Sequence, residues 1–419
     1  MGIVEIRILA PSKSVYKAHH TYYVHHQMLL AIGGAATLLY RHHTRATAQP
    51  PLLSVAASNP SLSPRVTASA PGKVLITGGY QVLEKPRRGI VVAGDARFHT
   101  SAQWKSTSVA APSTHSNPDH VCYVVVRSGQ FARTSCYEIS SSSSKELCQV
   151  VSVPFYDDGT YHEPPSHNPY VHTTLVYCVT ALMALMEQQY LTGRTAATVA
   201  AATTATPTPT PLQRFHHRAS QGYLDITLNA DNCFYSQQQV FAERQLPPLS
   251  SSYAKLEPFA RPTTVSKTGL GSSATLVSSL VGALMMSVSN HTLPRQGTAS
   301  SAATQRNVAL AHQLSQLCHV VAQGKVGSGF DVCTAVYGSI CYERYTPALL
   351  GRFLNGAEDQ EAAPLTAQDI LDVLDEEQWD HCALPFGLPT GIEMVLGDIA
   401  QGSSTPSMVR ASFCCGWLC

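Results

Sequence analysis

Charged side chains are scarce in this chain of 419 residues, where Asp, Glu, Lys and Arg together make up only 13%. Globular proteins usually contain about 25%. The 28 basic and 27 acidic residues nearly cancel, which leaves a formal net charge of +1. A chain with this balance has no overall positive field, so we expect neither a nucleic-acid partner nor a membrane partner held by bulk charge.

Long hydrophobic segments are scarce as well. The apolar run from Met28 to Tyr40 is too short to cross a bilayer, which takes about 20 residues in a helix. The apolar fraction of 44% is still large enough to form a globular core, and this excludes wholesale disorder. The length favours two compact domains over one.

The twelve cysteines lack the spacing of a metal or redox motif. No Cys-x-x-Cys pair occurs, which excludes a zinc ribbon and a thioredoxin-type site. We expect free or buried thiols in a reducing compartment, and therefore a cytoplasmic protein. Residues 1–64 are basic and poor in acids and show no helical or strand period, which predicts an unstructured leader; an organellar targeting segment is the alternative.

Hydrophobic patterning after Arg65 predicts a mixed α+β fold. Strands are predicted at 65–70, 73–77, 89–93, 121–126, 224–228, 332–342 and 394–396. Helices are predicted at 168–186, 273–288 and 299–323. Low-complexity composition predicts inserted loops at 101–120 and an unstructured linker at 192–221.

The stretch from Lys267 to Ala274, Lys-Thr-Gly-Leu-Gly-Ser-Ser-Ala, carries the most chemical information. Its glycines let backbone N–H groups turn toward an anion, and the positive end of the following helix would face the same point. Ser272 and Ser273 add hydroxyls that can reach a phosphate oxygen or a magnesium ion. An ordinary helix cap has a similar sequence and is the alternative.

Two other nucleotide-binding motifs are excluded. No position satisfies the Walker A pattern Gly-x-x-x-x-Gly-Lys-Ser/Thr. Gly269-x-Gly271-x-x-Ala274 matches the dinucleotide fingerprint, but that motif also needs an acid about 20 residues later to bind the ribose. No acidic residue lies between Glu257 and Asp331, so the dinucleotide interpretation fails.

Asp331 ends this acid-free stretch and follows the glycine-rich segment 324–330, which contains Lys325. A carboxylate beside lysines and a phosphate loop can orient or deprotonate an acceptor. Lys73, which follows Ala-Pro-Gly, is a second basic candidate. An ordinary turn aspartate and an ordinary strand-end lysine are the alternatives for Asp331 and Lys73.

Taken together, these motifs resemble the GHMP kinase superfamily, and within it the eukaryotic phosphomevalonate kinase family. Segment 69–84, which begins Ser-Ala-Pro-Gly-Lys-Val-Leu, resembles the first superfamily motif, and 268–274 resembles the second, which binds phosphate. Segment 224–237 also supports the match. Segments 322–331 with 336–339, and 396–409, resemble this one family specifically. The resemblance runs from Arg65 to Val409.

The resemblance implies ATP-dependent phosphorylation of a small molecule, (R)-5-phosphomevalonate, to (R)-5-diphosphomevalonate in isoprenoid and sterol biosynthesis, with Mg²⁺ as cofactor. It implies a GHMP kinase fold with two domains. The first, over 65–345, would be similar to ribosomal protein S5 domain 2, and the second, from 346, would be ferredoxin-like. The active site would lie between them.

The resemblance also implies roles for individual residues. The ATP phosphates would be held by Gly269, Gly271, Ser272 and Ser273, with Lys267, Leu270 and Ala274 in the same motif, and Ser273 would reach Mg²⁺. Lys73 would neutralise charge near the transferring phosphoryl group, and Asp331 would lie at the acceptor, so these two are the predicted catalytic residues. The predicted substrate contacts are Tyr80, Lys325 and Ser328.

The sequence departs from the superfamily at two places. Mevalonate kinases hold magnesium partly with a glutamate in the helix before the catalytic aspartate, and the nearest equivalent here is His319. The chain also ends ten residues after Val409, in a tail that does not resemble the family, so we expect a truncated C-terminal domain over 346–419. Another GHMP small-molecule kinase, such as a mevalonate kinase, and a catalytically inert fragment are the alternatives.

Overall fold

The computed structural model describes residues 4–8, 64–106, 121–141, 145–157, 160–162, 168–193, 209–247, 250–262, 265–294, 301–354 and 364–397. The described strands are β1 (Val4–Ile8), β2 (Val66–Thr77), β3 (Arg88–Ser106), β4 (Val121–Ser128), β5 (Arg133–Ser140), β6 (Gln149–Val153), β7 (Phe155–Asp157), β8 (Thr160–His162), β9 (Gly222–Ala230), β10 (Ile340–Glu343), β11 (Cys382–Pro385) and β12 (Ile392–Leu396). The described α-helices are α1 (Pro169–Gly193), α2 (Pro211–Gln221), α3 (Gln238–Glu243), α4 (Ser250–Tyr253), α5 (Ser272–Val288), α6 (Ala302–Gln323), α7 (Phe330–Tyr337), α8 (Ala348–Gly351) and α9 (Ala367–Val373). The chain forms a small unit, Met1–Gln49 with Gly387–Asp398, and a large unit from the rest.

The large unit is built on an eight-stranded sheet. Its strands follow the order β11-β10-β3-β9-β4-β5-β6, and β2 pairs along β3. Because β3 is 19 residues long, its first part pairs with β10 and its second part with β9. The pairs are antiparallel except β4 with β9, which run parallel. This mixed sheet with its helices confirms the predicted α+β class.

The two strands predicted at 65–70 and 73–77 form one continuous strand, β2. Its pairing with β3 is irregular between Pro71 and Lys73. Proline has no N–H to give to a ladder, and such irregularities re-aim neighbouring side chains. The predicted turn is therefore only a local irregularity, and it lies directly before Lys73.

The three predicted long helices are confirmed as α1, α5 and α6, and they form the main hydrophobic core with the sheet. α5 carries no charged residue and is buried along almost its whole length, as expected of a helix surrounded by other elements. Complete burial of one leucine in this core, such as Leu280, stabilises the fold by about 2 kcal/mol. α1 is apolar enough to cross a membrane by composition, but 67% of its most apolar window is buried in the fold.

In the small unit, β1 pairs with β12 in an antiparallel ladder. The expectation that residues 1–64 hold no strand is therefore wrong at Val4–Ile8, where apolar and charged residues alternate over five positions. The strand predicted at 394–396 is confirmed within β12. The rest of the predicted leader, 9–63, lies outside the described residues. The tail 398–419 does so too, and it contains most of segment 396–409, which resembles the family.

The predicted strand at 332–342 is wrong in its first half, which belongs to α7. β-Branched residues made this segment typical of a strand, but Gly329 turns the chain with a φ of 81° directly before the helix. Asp331 lies in the first helical turn, where a carboxylate is favourable for the helix dipole. Residues 332–336 are largely apolar because this short helix is buried on all sides.

Both predicted low-complexity segments are shorter than predicted. The first begins after 106, because β3 continues through 101–106 and pairs with β9. The second ends at Thr210, whose capping box with Gln213 starts α2. Phe215 of α2 contacts Trp104 of β3 edge-to-face, with 5.9 Å between ring centroids. The helix and the end of the strand, neither of which was predicted, therefore pack on each other. Residues 107–120 and 194–208 lie outside the described residues. The domain boundary at 345 stays a prediction.

Candidate active site

The glycine-rich loop that follows α4 leads directly into α5. Thr268 anchors it, because its Oγ1 donates a hydrogen bond to Cys233 O (2.7 Å). Gly269 and Gly271 have φ angles of 84° and 78°, a conformation that side-chain-bearing residues rarely adopt. The helix then begins at Ser272, and in the described structure no side chain caps its N-terminus. The first N–H groups of α5 are therefore available to an anion.

Lys73 packs along this loop. Its backbone N donates to Leu270 O at 2.9 Å, and its Nζ donates to Gly269 O, also at 2.9 Å. A Cβ atom on Gly271 would lie 3.2 Å from both Cγ and Cε of Lys73. The absence of a side chain at Gly271 thus leaves the room that the lysine stem occupies.

The Lys73 ammonium lies in a largely apolar setting beside one acid. Its Nζ is 5.7 Å from the centre of the Phe330 ring. Burial lowers the pKa of Lys73, and the negative charge of Asp331 opposes this shift. An additional anion nearby would therefore stabilise the protonated lysine further.

Asp331 lies near the same glycine. A Cβ on Gly271 would be 3.8 Å from Asp331 Cβ, compared with 3.2 Å from the Lys73 stem. Asp331 Oδ1 accepts a hydrogen bond from Val332 N (3.0 Å), and Oδ2 takes no part in this bond. The Asp331 side chain is 23% exposed, so a ligand can reach the carboxylate. The predicted acid and the predicted lysine thus meet at the start of α5.

His319 joins the loop to the acid from α6. Its Nε2 lies 3.1 Å from Ser273 Oγ, 3.0 Å from Gln323 Nε2 and 4.0 Å from Asp331 Oδ2. Tyr170 stacks on the imidazole at 5.9 Å between centroids. Burial lowers the pKa of His319, Asp331 raises it and Lys325 lowers it. A neutral ring with its proton on Nδ1 can accept hydrogen bonds from both neighbours at Nε2.

The predicted substrate contacts lie on two segments that one buried arginine connects. Arg344 donates to Leu83 O (3.0 Å), in the short 3₁₀ helix Gly79–Leu83 that carries Tyr80. The same guanidinium donates to Gly327 O (2.7 Å), in the loop that carries Lys325 and Ser328. Arg344 thereby fixes the spacing between the Tyr80 segment and the Lys325 segment.

The structure brings most of the predicted site residues together. Lys73 contacts the loop through Gly269, Asp331 lies close to Gly271, and Lys325 acts electrostatically on His319, which contacts Ser273. Lys267 is exposed and forms an isolated bridge with Tyr235, and Ala274 is buried inside α5. Within the described part of the chain, Tyr80 forms no hydrogen bond or ion pair with the others.

Sequence reasoning missed Arg344 and Gln316. Gln316 Nε2 donates to Gly329 O (2.7 Å), just before α7. A Cβ on Gly329 would meet Tyr345 at 2.8 Å and Tyr342 Oη at 2.9 Å, so only glycine fits this turn. The sequence does contain a pattern that indicates a role for Gln316. Polar residues recur at helical spacing in α6, which is otherwise largely buried: His312, Gln316, His319 and Gln323. Nothing in the local sequence distinguishes Arg344.

Magnesium prefers hard oxygen ligands, so its fit depends on oxygen donors near the loop. Ser273 Oγ and Asp331 Oδ2 both lie around His319 Nε2, at 3.1 and 4.0 Å. These two side chains, together with phosphate oxygens of a nucleotide, match the ligand type that magnesium requires. His319, as a nitrogen donor, suits magnesium poorly and is better explained as a partner of Ser273.

No protein-family model matches the chain. The chain is 33% identical over 375 residues to the peroxisomal phosphomevalonate kinase of Arabidopsis thaliana, which covers 83% of this chain and 63% of that protein. It is 33% identical over 369 residues to the phosphomevalonate kinase of Aspergillus fumigatus, covering 83% and 66%. The chain therefore spans just under two thirds of the length of these relatives.

Solved structures show weaker likeness. Streptococcus pneumoniae phosphomevalonate kinase in complex with phosphomevalonate and AMPPNP matches 76% of this chain and 57% of that chain, with 11% identity and a TM-score of 0.34. Methanococcus jannaschii mevalonate kinase matches 65% and 52%, with 12% identity and a TM-score of 0.28. On the sequence similarity to its curated relatives, the chain belongs to the phosphomevalonate kinase family.

Proposed function

We propose that the protein transfers the γ-phosphoryl group of ATP to the phosphate of (R)-5-phosphomevalonate, giving (R)-5-diphosphomevalonate and ADP. The observation that carries the proposal is the meeting of Lys73 and Asp331 at Gly271, where α5 begins. This arrangement puts a cation, an acid and a helix N-terminus around one point. The names of the relatives support phosphomevalonate as the acceptor.

The main obstacle in this reaction is repulsion between two anions. The acceptor is a phosphate monoester with a second pKa of about 6, so near pH 7 it is already largely a dianion and needs little deprotonation. Phosphoryl transfer depends mainly on positioning and charge neutralisation. Lys73 suits the neutralising role, because Gly269 O and Leu270 O hold it against the phosphate loop.

Asp331 acts in this proposal by orientation. Asp331 lies near Gly271, and its negative charge raises the pKa of Lys73, which favours the protonated ammonium in an otherwise desolvating site. A base is of little use to an acceptor that is already ionised. We therefore expect Asp331 to matter less for the rate than Lys73.

The ATP phosphates would lie on the N–H groups at the start of α5 and on the hydroxyls of Ser272 and Ser273. Ser273, with Asp331 beside it, would hold Mg²⁺, which supplies charge neutralisation on the phosphate oxygens when bound. His319 keeps the Ser273 hydroxyl in a fixed orientation through the 3.1 Å contact.

On the acceptor side, Lys325, Tyr80 and Ser328 would contact phosphomevalonate. Arg344 supports this role, because it links the two segments that carry these residues. Lys325 is exposed and near His319, which suits a side chain that captures the incoming phosphate. The cytoplasmic location stays a prediction; the Arabidopsis relative is named as peroxisomal.

The proposal is tested by a coupled ADP-release assay on the full chain with phosphomevalonate and, separately, with mevalonate. We expect ADP release with phosphomevalonate only. A Lys73→Met variant should bind both substrates by calorimetry but lose at least about 100-fold in kcat, the scale expected for a charge stabiliser aimed at the transferring group. The matched variant Lys267→Met removes an exposed lysine of the same loop and should retain more kcat than Lys73→Met.

Three results would contradict the proposal. ADP release with mevalonate in place of phosphomevalonate would select a mevalonate kinase. Nucleotide binding without ADP release would select an inert fragment. Near-normal turnover of the Lys73→Met variant would remove this lysine from the mechanism.

A further inference from the structure

Two histidines and one cysteine that the proposed function does not use meet in the interior of the large unit. His312 lies in α6, Cys333 lies in α7, and His381 directly precedes β11. One metal-binding atom of each residue lies within 4.8 Å of the other two. We refer to His312, Cys333 and His381 as the His–Cys cluster. Their separation in the sequence explains why no cysteine spacing revealed it.

The two imidazoles in the cluster are incompletely paired. Among the described residues, Nδ1 of His312 and Nδ1 of His381 are both buried without a hydrogen-bond partner. On the other side of the His312 ring, Nε2 lies 3.1 Å from Gln316 Nε2. Buried polar atoms are nearly always paired, and one left without a partner calls for an unseen ion or water. His312 itself is fully buried, so bulk water does not satisfy it.

The cluster offers the donor types that zinc prefers. Imidazole nitrogen and cysteine sulfur bind Zn²⁺ at about 2.0–2.3 Å in tetrahedral sites, with ligand atoms about 3.3–3.8 Å apart. Atoms already within 4.8 Å of one another need to approach by only about 1 Å. Zinc binds the neutral form of an imidazole, which donates a lone pair from one ring nitrogen.

We propose that the His–Cys cluster binds a zinc ion through one nitrogen of His312, one nitrogen of His381 and the sulfur of Cys333. On binding, the Cys333 thiol loses its proton to solvent and the thiolate coordinates the metal. No electrons are transferred.

The proposed zinc ion would have three protein ligands and would lie among aromatic side chains. The rings of Tyr337 and Trp379 lie 5.1 and 5.4 Å from the His312 ring, which makes the site dry and aromatic. A zinc ion here joins α6, α7 and the start of β11. Cys333 is two residues after Asp331 in α7, so the metal also stabilises the helix that carries the proposed catalytic acid.

The experiment uses the full chain, treated with chelator and then returned to zinc sulfate or cobalt chloride. Metal content after gel filtration should be one zinc per chain. Cobalt should give a thiolate-to-metal charge-transfer band, and the Cys333→Ala variant should lack this band. The matched control is Cys341→Ala, a half-buried cysteine of β10 outside the cluster, which should bind zinc as the unmodified protein does.

Measurements of thermal stability distinguish a loss of zinc binding from a general loss of folding stability. Zinc should raise the Tm of the unmodified protein and of Cys341→Ala, but not of Cys333→Ala. If Cys333→Ala does not fold, His381→Gln changes a less buried ligand and should lower zinc affinity at least tenfold. Failure of the unmodified protein to retain zinc, or equal affinity in His381→Gln or Cys333→Ala, would overturn the proposal and leave the cluster as aromatic packing.

Discussion

The sharpest prediction concerns Gly271, where adding one methyl group pushes directly on Lys73. In Gly271→Ala the new Cβ lies 3.2 Å from Cγ and Cε of Lys73, closer than ordinary carbon contacts, so the lysine stem shifts by a few tenths of an ångström. A shift of about 1 Å in a catalytic group can cost about 100-fold in rate, so we expect kcat to fall on the order of tenfold. The positive φ of 78° adds strain of about 1–2 kcal/mol to the folded state.

Gly324→Ala is the matched control, because Gly324 also has a positive φ, 64°, and a Cβ there meets no atom within 4 Å. Both variants should lose about 1–2 kcal/mol of unfolding free energy in urea. Only Gly271→Ala should also lose kcat in the ADP-release assay, since only it displaces Lys73. Equal kcat in the two variants would refute the argument that Lys73, held by this loop, sets the rate.

Three further variants test the neighbouring residues. Asp331→Asn should retain measurable turnover if the carboxylate orients and stabilises Lys73; complete loss of kcat with unchanged substrate binding would instead establish an obligate base. Arg344→Ala should raise KM for phosphomevalonate and destabilise the protein by about 3 kcal/mol, because buried carbonyl partners lose a charged donor. The exposed Arg352→Ala should cost less than about 1 kcal/mol and leave KM unchanged. His319 has a lowered pKa when folded, so the unfolded chain binds more protons and stability falls as the pH drops below about 6.5; urea titrations should show a shallower pH slope in His319→Gln, and an unchanged slope would contradict this.

Candidate site residues can be predicted from local sequence where the backbone geometry is itself local. The loop from Lys267 to Ala274 is a candidate anion site because its glycines and serines directly precede an apolar helix, although an ordinary helix cap has a similar sequence. Lys73 and Asp331 were singled out by glycine-rich surroundings and an acid-free stretch. Their meeting at Gly271 depends on how β2, α5 and α7 pack, which no local pattern encodes.

Elements were misjudged where composition and tertiary context disagree. The segment 332–336 is rich in β-branched residues, yet it is helical because a turn at Gly329 and burial on all sides override strand propensity. Segment 211–221 was predicted as part of a linker, but a capping box and the contact of Phe215 with Trp104 make it a helix. In both segments, capping and tertiary packing outweigh the local secondary-structure propensity on which the prediction rests.

By itself the sequence determined the α+β class, the three long core helices, the glycine-rich loop before α5 and the family, because periodicity, caps and motifs act over short distances along the chain. Only the tertiary structure decided which distant side chains are neighbours. Arg344 links the segments of Leu83 and Gly327, and His312, Cys333 and His381 converge from three elements. Such contacts follow from the packing of sheet and helices as a whole, and the free energy that fixes them is spread over the core.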